Sequence, residues 1–171
     1  MPSILFVCTA NQCRSPIAEA IFRRKVMAAG KGEDWRVGSA ATWGQAGQPA
    51  SEKARQVAEE NGFDLSHHRS RRVDDLDLAA IDLMLVMESG HQEALRAEFP
   101  QLADRIQLLT SMAGPAYDVR DPVGGDVEGY RRTWAEIASL IERGFERMMV
   151  QAEANNWQRA GDQRAAGGGD A

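Results

Sequence analysis

Cysteine is scarce: two thiols in 171 residues, Cys8 and Cys13, both inside one short stretch. That excludes a disulfide scaffold and fits a reducing compartment. It also argues against a structural zinc site, because Cys-x4-Cys lacks the short spacing of zinc ligands and His67, His68 and His91 do not complete a set. Long apolar runs are missing too. No stretch approaches the roughly 20 residues of a membrane span, and Met1-Pro2-Ser3 lacks the basic start of a signal peptide, so a cytoplasmic protein is expected. Positive charge is in deficit, with a formal net charge of −5, which argues against nucleic acid as a partner. The one basic cluster, Arg69, Arg71 and Arg72, reads as a solvated loop or a substrate rim.

What the chain does have is ordinary globular composition, 43% hydrophobic and 26% charged, enough for one domain with a real core. There is no internal repeat. Strand and helix patterns alternate. An apolar run Ile4 to Val7 ends in Cys8, six small or polar residues follow, and a helical pattern opens at Ser15-Pro16 and continues to about residue 29. Trp35 to Ser39 reads as a second strand, and Ala40 to Ala50, carrying Trp43, as a loop. Ser51-Glu52 opens a helix that Asn61-Gly62 stops. The polar segment Phe63 to Arg72 should pass near the first loop. Leu83 to Met87 is a fully apolar third strand, Ser89 to Glu98 a helix, and Ile106 to Leu109 a fourth strand. Asp126 caps a final helix whose inner face holds Tyr130, Trp134, Ile137, Leu140, Ile141, Phe145 and Met148. Residues 151–171 lack periodicity and apolar mass, and are expected to be a frayed helix end followed by a disordered tail, leaving a folded domain over 1–150.

Such alternation predicts an α/β fold, parallel βαβ units with helices on both faces of one sheet. Ligands in these sheets bind at the carboxyl ends of strands, where Cys8 stands. A strand-loop-helix junction also gathers free backbone N–H groups and the positive end of a helix dipole, a ready site for an anion. A thiol attacks as its thiolate, a form that a helix N-terminus, hydroxyl donors and a nearby cation favour. With five residues between Cys8 and Arg14, the loop can curl its amides toward one centre while Arg14 clamps two oxygens of a phosphate. Ser15 can cap the helix or donate to the Cys8 sulfur, and Pro16 suits the first helical turn. On so tight a loop Cys13 comes within disulfide reach of Cys8 and is expected to protect it from oxidation, or else to fill the loop floor.

The string Val7-Cys8-Thr9-Ala10-Asn11-Gln12-Cys13-Arg14-Ser15-Pro16, with Ala18-Glu19 following, strongly resembles the phosphate-binding loop of the low-molecular-weight protein tyrosine phosphatases. Ala10 stands where that family usually has Gly, which is tolerable if φ is negative there. The resemblance covers about residues 3–150 and implies a Rossmann-like four-stranded parallel sheet in the order 2-1-3-4. It also implies that loop residues Thr9 to Cys13 and Ser15 bind phosphate beside Cys8 and Arg14. Asp118-Val119-Arg120-Asp121-Pro122 matches the family's general-acid loop, which makes Asp121 the proton donor to the leaving group. Asn11, Ser39 and His68 match positions that brace the loop, and Trp43 is a candidate for the mouth of the site. No metal is called for, since Arg14 and the loop amides supply the positive field.

The function implied is a cysteine-dependent phosphoprotein phosphatase without a cofactor, working through a phosphocysteine. A thiol-linked arsenate reductase needs further cysteines, and none follows Cys13. A non-catalytic phosphate-binding module would not need Asp121. For the substrate, phosphotyrosine comes first and phosphoarginine second. Tyrosine-selective members carry a branched aliphatic residue at the Gln12 position and aromatics after the Asp-Pro, whereas here Val123-Gly124-Gly125 follows.

Overall fold

The computed structural model describes residues 1–167. Four strands, β1 (Ser3–Cys8), β2 (Arg36–Ala41), β3 (Leu83–Val86) and β4 (Ile106–Leu108), form one parallel sheet in the order β2-β1-β3-β4. The α/β class and the strand order expected from the sequence are both present. The helices are α1 (Arg14–Ala28), α2 (Glu52–Glu60), α3 (Ser89–Glu98) and α4 (Val127–Gly167).

Strand alternation divides the core in two. Ile4, Phe6, Leu83 and Leu85 face one side and pack with Ile17 and Phe22 of α1, Val57 of α2 and Trp134, Ile137 and Ile141 of α4. Leu5, Val7, Met84 and Val86 face the other side and pack with Leu95 of α3 and with Val73, Leu78 and Leu102 from short helical turns. The sheet is therefore buried on both faces, which is why β1 and β3 are apolar at consecutive positions. Phe22 is the hub of the first layer. Its ring lies 5.6 Å from Phe6, 6.1 Å from Trp35 and 5.3 Å from Phe145, and burying such a ring stabilises the fold by about 2–3 kcal/mol.

Helix ends follow local chemistry. The Ser51 hydroxyl accepts the Ala54 N–H to open α2, and the Asp126 carboxylate accepts the Gly129 N–H to open α4. At Gly62 a φ of +75° ends α2 in the left-handed region that glycine tolerates.

The C-terminal segment differs from the sequence expectation. Residues 151–167 do not fray: α4 continues unbroken to Gly167. The reason is polar rather than apolar. Asp82, fully buried at the start of β3, accepts from Ser3 N and from Arg159 Nε, each at 2.9 Å. Asn155 Nδ2 donates to the Asp82 carbonyl at 2.8 Å, and Ala152 is buried beside them. With Lys31 Nζ also donating to Glu153 at 3.0 Å, a segment held by three long-range polar contacts leaves little apolar periodicity to read. The remainder of the expected disordered tail, 168–171, lies outside the described residues.

Candidate active site

The parallel register sets Val7 of β1 beside Val86 of β3 and Ala40 of β2. The three strands thus deliver their following residues to one edge of the sheet: Cys8 and the loop from β1, Thr42 and Trp43 from β2, and Met87 and Glu88 from β3. Loop and strands are tied together by Thr42 N to Cys8 O at 3.0 Å, Trp43 N to Thr9 O at 2.9 Å and Met87 N to Val7 O at 3.0 Å.

Cys8 Sγ lies 3.0 Å from the Ser15 hydroxyl on the first turn of α1. Ser15 Oγ accepts from Asn11 Nδ2 at 2.9 Å, so its own hydrogen is free to point at the sulfur. Asn11 is the pivot of the loop. Its Nδ2 also donates to Ser39 Oγ at 2.8 Å, its Oδ1 accepts from Arg71 N at 3.0 Å, and its carbonyl accepts from His68 Nε2 at 2.7 Å. Ser39 in turn donates to Glu19. Among the described residues Asn11 is the one non-glycine with positive φ, +56°, so Ala10 does not need the freedom of the glycine usual there. The N–H groups of Ala10 to Cys13 donate to no carbonyl among the described residues, leaving a row of donors for an anion.

Arg14 is 1% exposed, and both terminal nitrogens are held. Nη1 donates to Glu88 and, at 2.8 Å, to the Val119 carbonyl. Nη2 donates to Asp121 Oδ2 at 2.9 Å and to Thr9 Oγ1 at 3.3 Å. The loop carrying Asp121 is anchored at Val119, fully buried, whose N–H reaches the Met87 carbonyl at 2.8 Å. Asp121 Oδ1 accepts the Val123 N–H at 3.1 Å, and Gly124, at φ +81°, turns the chain away. Cys8, Ala10, Gln12, Cys13, Arg14, Ser51, Asp121 and Val123 line a pocket of about 40 Å³. Larger cavities beside α1 and outside the Asp121 loop, about 380 and 580 Å³, do not contain Cys8. The small one is the candidate active site, because a thiol, a buried guanidinium and a carboxylate converge there.

Cys8 and Cys13 are free and buried. Burial, with Cys8 and Asp121 nearby, pushes the Cys13 thiol far above its ordinary value, so it sits in the floor as a neutral thiol. Burial also lowers the pKa of His68, against its bond to the Asn11 carbonyl. Trp43, read as a wall of the mouth, is not among the pocket residues; its backbone secures Thr9 while its ring is 75% exposed. The basic cluster is engaged with local partners. Arg71 donates to the Ser39 carbonyl, Arg72 pairs with Asp74, and Arg69 bonds backbone carbonyls of its own turn. Two residues went unread in the sequence, Glu88 on Arg14 and His91 on Thr9, with Thr9 Oγ1 and His91 Nε2 3.0 Å apart. One sign was available: Glu88 follows β3 at its carboxyl end, where such sheets collect functional side chains. Asp118 caps the same helix, accepting from Ser89 N at 2.7 Å.

Fold and site together are those of a phosphate-handling α/β enzyme with a cysteine at the first strand end. The sequence pattern of the low molecular weight phosphotyrosine protein phosphatases matches residues 3–156, and the chain belongs to that family; it is a protein phosphatase. It is 34% identical over 150 residues to a protein-arginine-phosphatase of Geobacillus stearothermophilus, covering 86% of this chain and 97% of the relative. It is 38% identical over 155 residues to the low molecular weight phosphotyrosine protein phosphatase of Homo sapiens, covering 85% and 94%. Among solved structures, a low molecular weight protein tyrosine phosphatase from T. tengcongensis superposes with a TM-score of 0.79 at 40% identity, covering 86% of this chain and 99% of that one. No helix among the described residues is long and apolar enough to cross a membrane.

Proposed function

We propose that the chain hydrolyses phosphotyrosine in cytoplasmic phosphoproteins through a phosphocysteine at Cys8. The observation that carries this reading is that Cys8, whose Sγ has a hydroxyl donor at 3.0 Å, lines one pocket with a guanidinium that also contacts Asp121. Cys8 attacks phosphorus while Arg14 and the N–H groups of Ala10 to Cys13 take the equatorial oxygens. Asp121 gives its proton to the departing phenolate, and its carboxylate then takes a proton from the water that releases phosphate. Ser15 steadies the sulfur as the leaving group of that second step. Asn11, Ser39 and His68 hold the loop in the conformation this requires.

A second reading, hydrolysis of phosphoarginine, is favoured by one observation. Gln12 and Val123 line the pocket with Gly124-Gly125 beyond, and the exposed ring of Trp43 does not close an aromatic slot. A phenol facing an unpaired Gln12 amide loses about 1–3 kcal/mol. The test is the ratio of kcat/KM on phosphotyrosine and phosphoarginine peptides, in wild type and in Gln12→Ile. A tyrosine preference that rises in the Ile variant supports Gln12 as the selector, and one that does not rise removes it. Turnover of a generic aryl phosphate separates both readings from an arsenate reductase or a silent phosphate-binding module.

A further inference from the structure

The imidazole of His91 is 8% exposed and lies on the first turn of α3, outside the loop and the acid segment. Its Nε2 is 3.0 Å from Thr9 Oγ1, while Nδ1 is buried with no hydrogen-bond partner among the described residues. A ring proton on Nδ1 would be a buried donor without an acceptor, the less tolerable of the two ways to leave that atom unpaired. The proton therefore belongs on Nε2, which donates to Thr9. Arg14 Nη2 donates to the same oxygen at 3.3 Å. With both lone pairs of Thr9 Oγ1 taken, its hydroxyl hydrogen has one direction left, and among the described residues no acceptor stands there.

We propose that His91 is a positioning residue that acts through Thr9: by occupying the Thr9 oxygen it turns the hydroxyl hydrogen into a donor for the phosphoryl group held by Arg14. A threonine free to rotate could instead accept from Arg14 and point its hydrogen at a carboxylate, Asp121 or Glu88, and the bound anion would lose one hydrogen bond. The charged groups around His91 are Glu88 at the N-cap of its own helix, Arg14 at the start of α1, and Asp118 and Asp121 from the acid segment. The N-cap and first turn of α3 thus hold three parts of the site together: Glu88 grips Arg14, Ser89 is capped by Asp118, and His91 fixes Thr9.

The proposal rests on the phosphatase reading, and the first arm of its test needs no turnover. Nitrogen-15 NMR of the full chain at neutral pH should show His91 protonated at Nε2 and bare at Nδ1; a protonated Nδ1 would overturn the proposal while leaving the phosphatase reading intact. The second arm is kinetic and binding, with vanadate as the anion probe. His91→Leu and Thr9→Val should each lower kcat/KM on an aryl phosphate and weaken vanadate binding by about tenfold, the equivalent of one hydrogen bond to an anion. The double variant should be no worse than either. His91→Gln, which keeps an N–H near the Nε2 position, and Thr9→Ser should retain most of the efficiency. Losses that multiply in the double variant, or wild-type efficiency in His91→Leu, would show that His91 does not act through Thr9.

Discussion

Asp121 Oδ2 lies 2.9 Å from Arg14 Nη2, so the group assigned to protonate the leaving group and the group assigned to clamp the phosphoryl oxygens touch across the mouth of the pocket. An incoming phosphoryl dianion competes with this carboxylate for the same guanidinium arm. On the proposed mechanism, exchange of one anion for the other releases Asp121 toward the leaving-group oxygen.

Removing the carboxylate should therefore separate binding from chemistry. Asp121→Ala should bind vanadate at least as tightly as the wild type and lose about 10²–10⁴ in kcat on substrates with basic leaving groups, with far smaller losses on activated aryl phosphates. Stopped-flow rates across a leaving-group series check this. Equal losses along the series would place the acid elsewhere, with Asp118 next in line.

Asn11 should matter more than its small side chain suggests, because it joins Ser15, Ser39, Arg71 and His68 at a left-handed backbone position. Asn11→Ala leaves buried partners unpaired and keeps the φ penalty, an expected loss of about 2–4 kcal/mol. Asn11→Gly relieves the backbone alone. Denaturant melts should rank Ala below Gly below wild type, while both variants lose activity because Ser15 loses its orienting donor.

Legibility followed sequence distance. Cys8, Arg14 and Ser15 could be read because strand, loop and helix start are contiguous, and the local chain dictates their meeting. The match to a known acid loop pointed to Asp121 as a residue of the phosphate site, and the structure sets it against Arg14. Glu88 and His91 reach the loop only because β1 and β3 pair in parallel, bringing residues 74 and 82 positions apart together, which no local pattern encodes. The same holds at the C-terminus, where Arg159 finds Asp82 across 77 positions. Trp43, a candidate for the mouth, meets the loop through its backbone N–H on the Thr9 carbonyl, while its ring is exposed.

The Asp82 contact gives a direct check on the reassigned C-terminal segment. Arg159→Ala strands a fully buried carboxylate that keeps only Ser3 as a partner, and should cost about 3 kcal/mol. Truncation after residue 150 should destabilise further, since it also removes Asn155 and Ala152. Urea denaturation measures both; a truncated chain as stable as the full one would restore the reading of a frayed helix end and disordered tail.

Acid should weaken the fold through two histidines. His68 and His91 both have pKa values below the ordinary 6.5, chiefly because burial disfavours the charged ring. Unfolded, each takes a proton near 6.5; folded, each stays neutral to lower pH. Their contribution is fully present above the unfolded value and is lost as pH falls from there through the folded values. Tm should drop as pH falls below about 6.5, and His68→Gln or His91→Gln should each reduce the drop. An unchanged slope in both variants would assign the acid sensitivity to carboxylates alone.

The central claim is a covalent phosphoenzyme on Cys8, and trapping it is the most direct test. Asp121→Ala, mixed with an aryl phosphate and quenched in acid within the first turnover, should carry phosphate on the Cys8 sulfur by peptide-mapping mass spectrometry, and the same protein with Cys8→Ser added should release no phenol at a comparable rate. Phosphate recovered on another side chain, or full-rate turnover without the Cys8 thiol, would contradict the account.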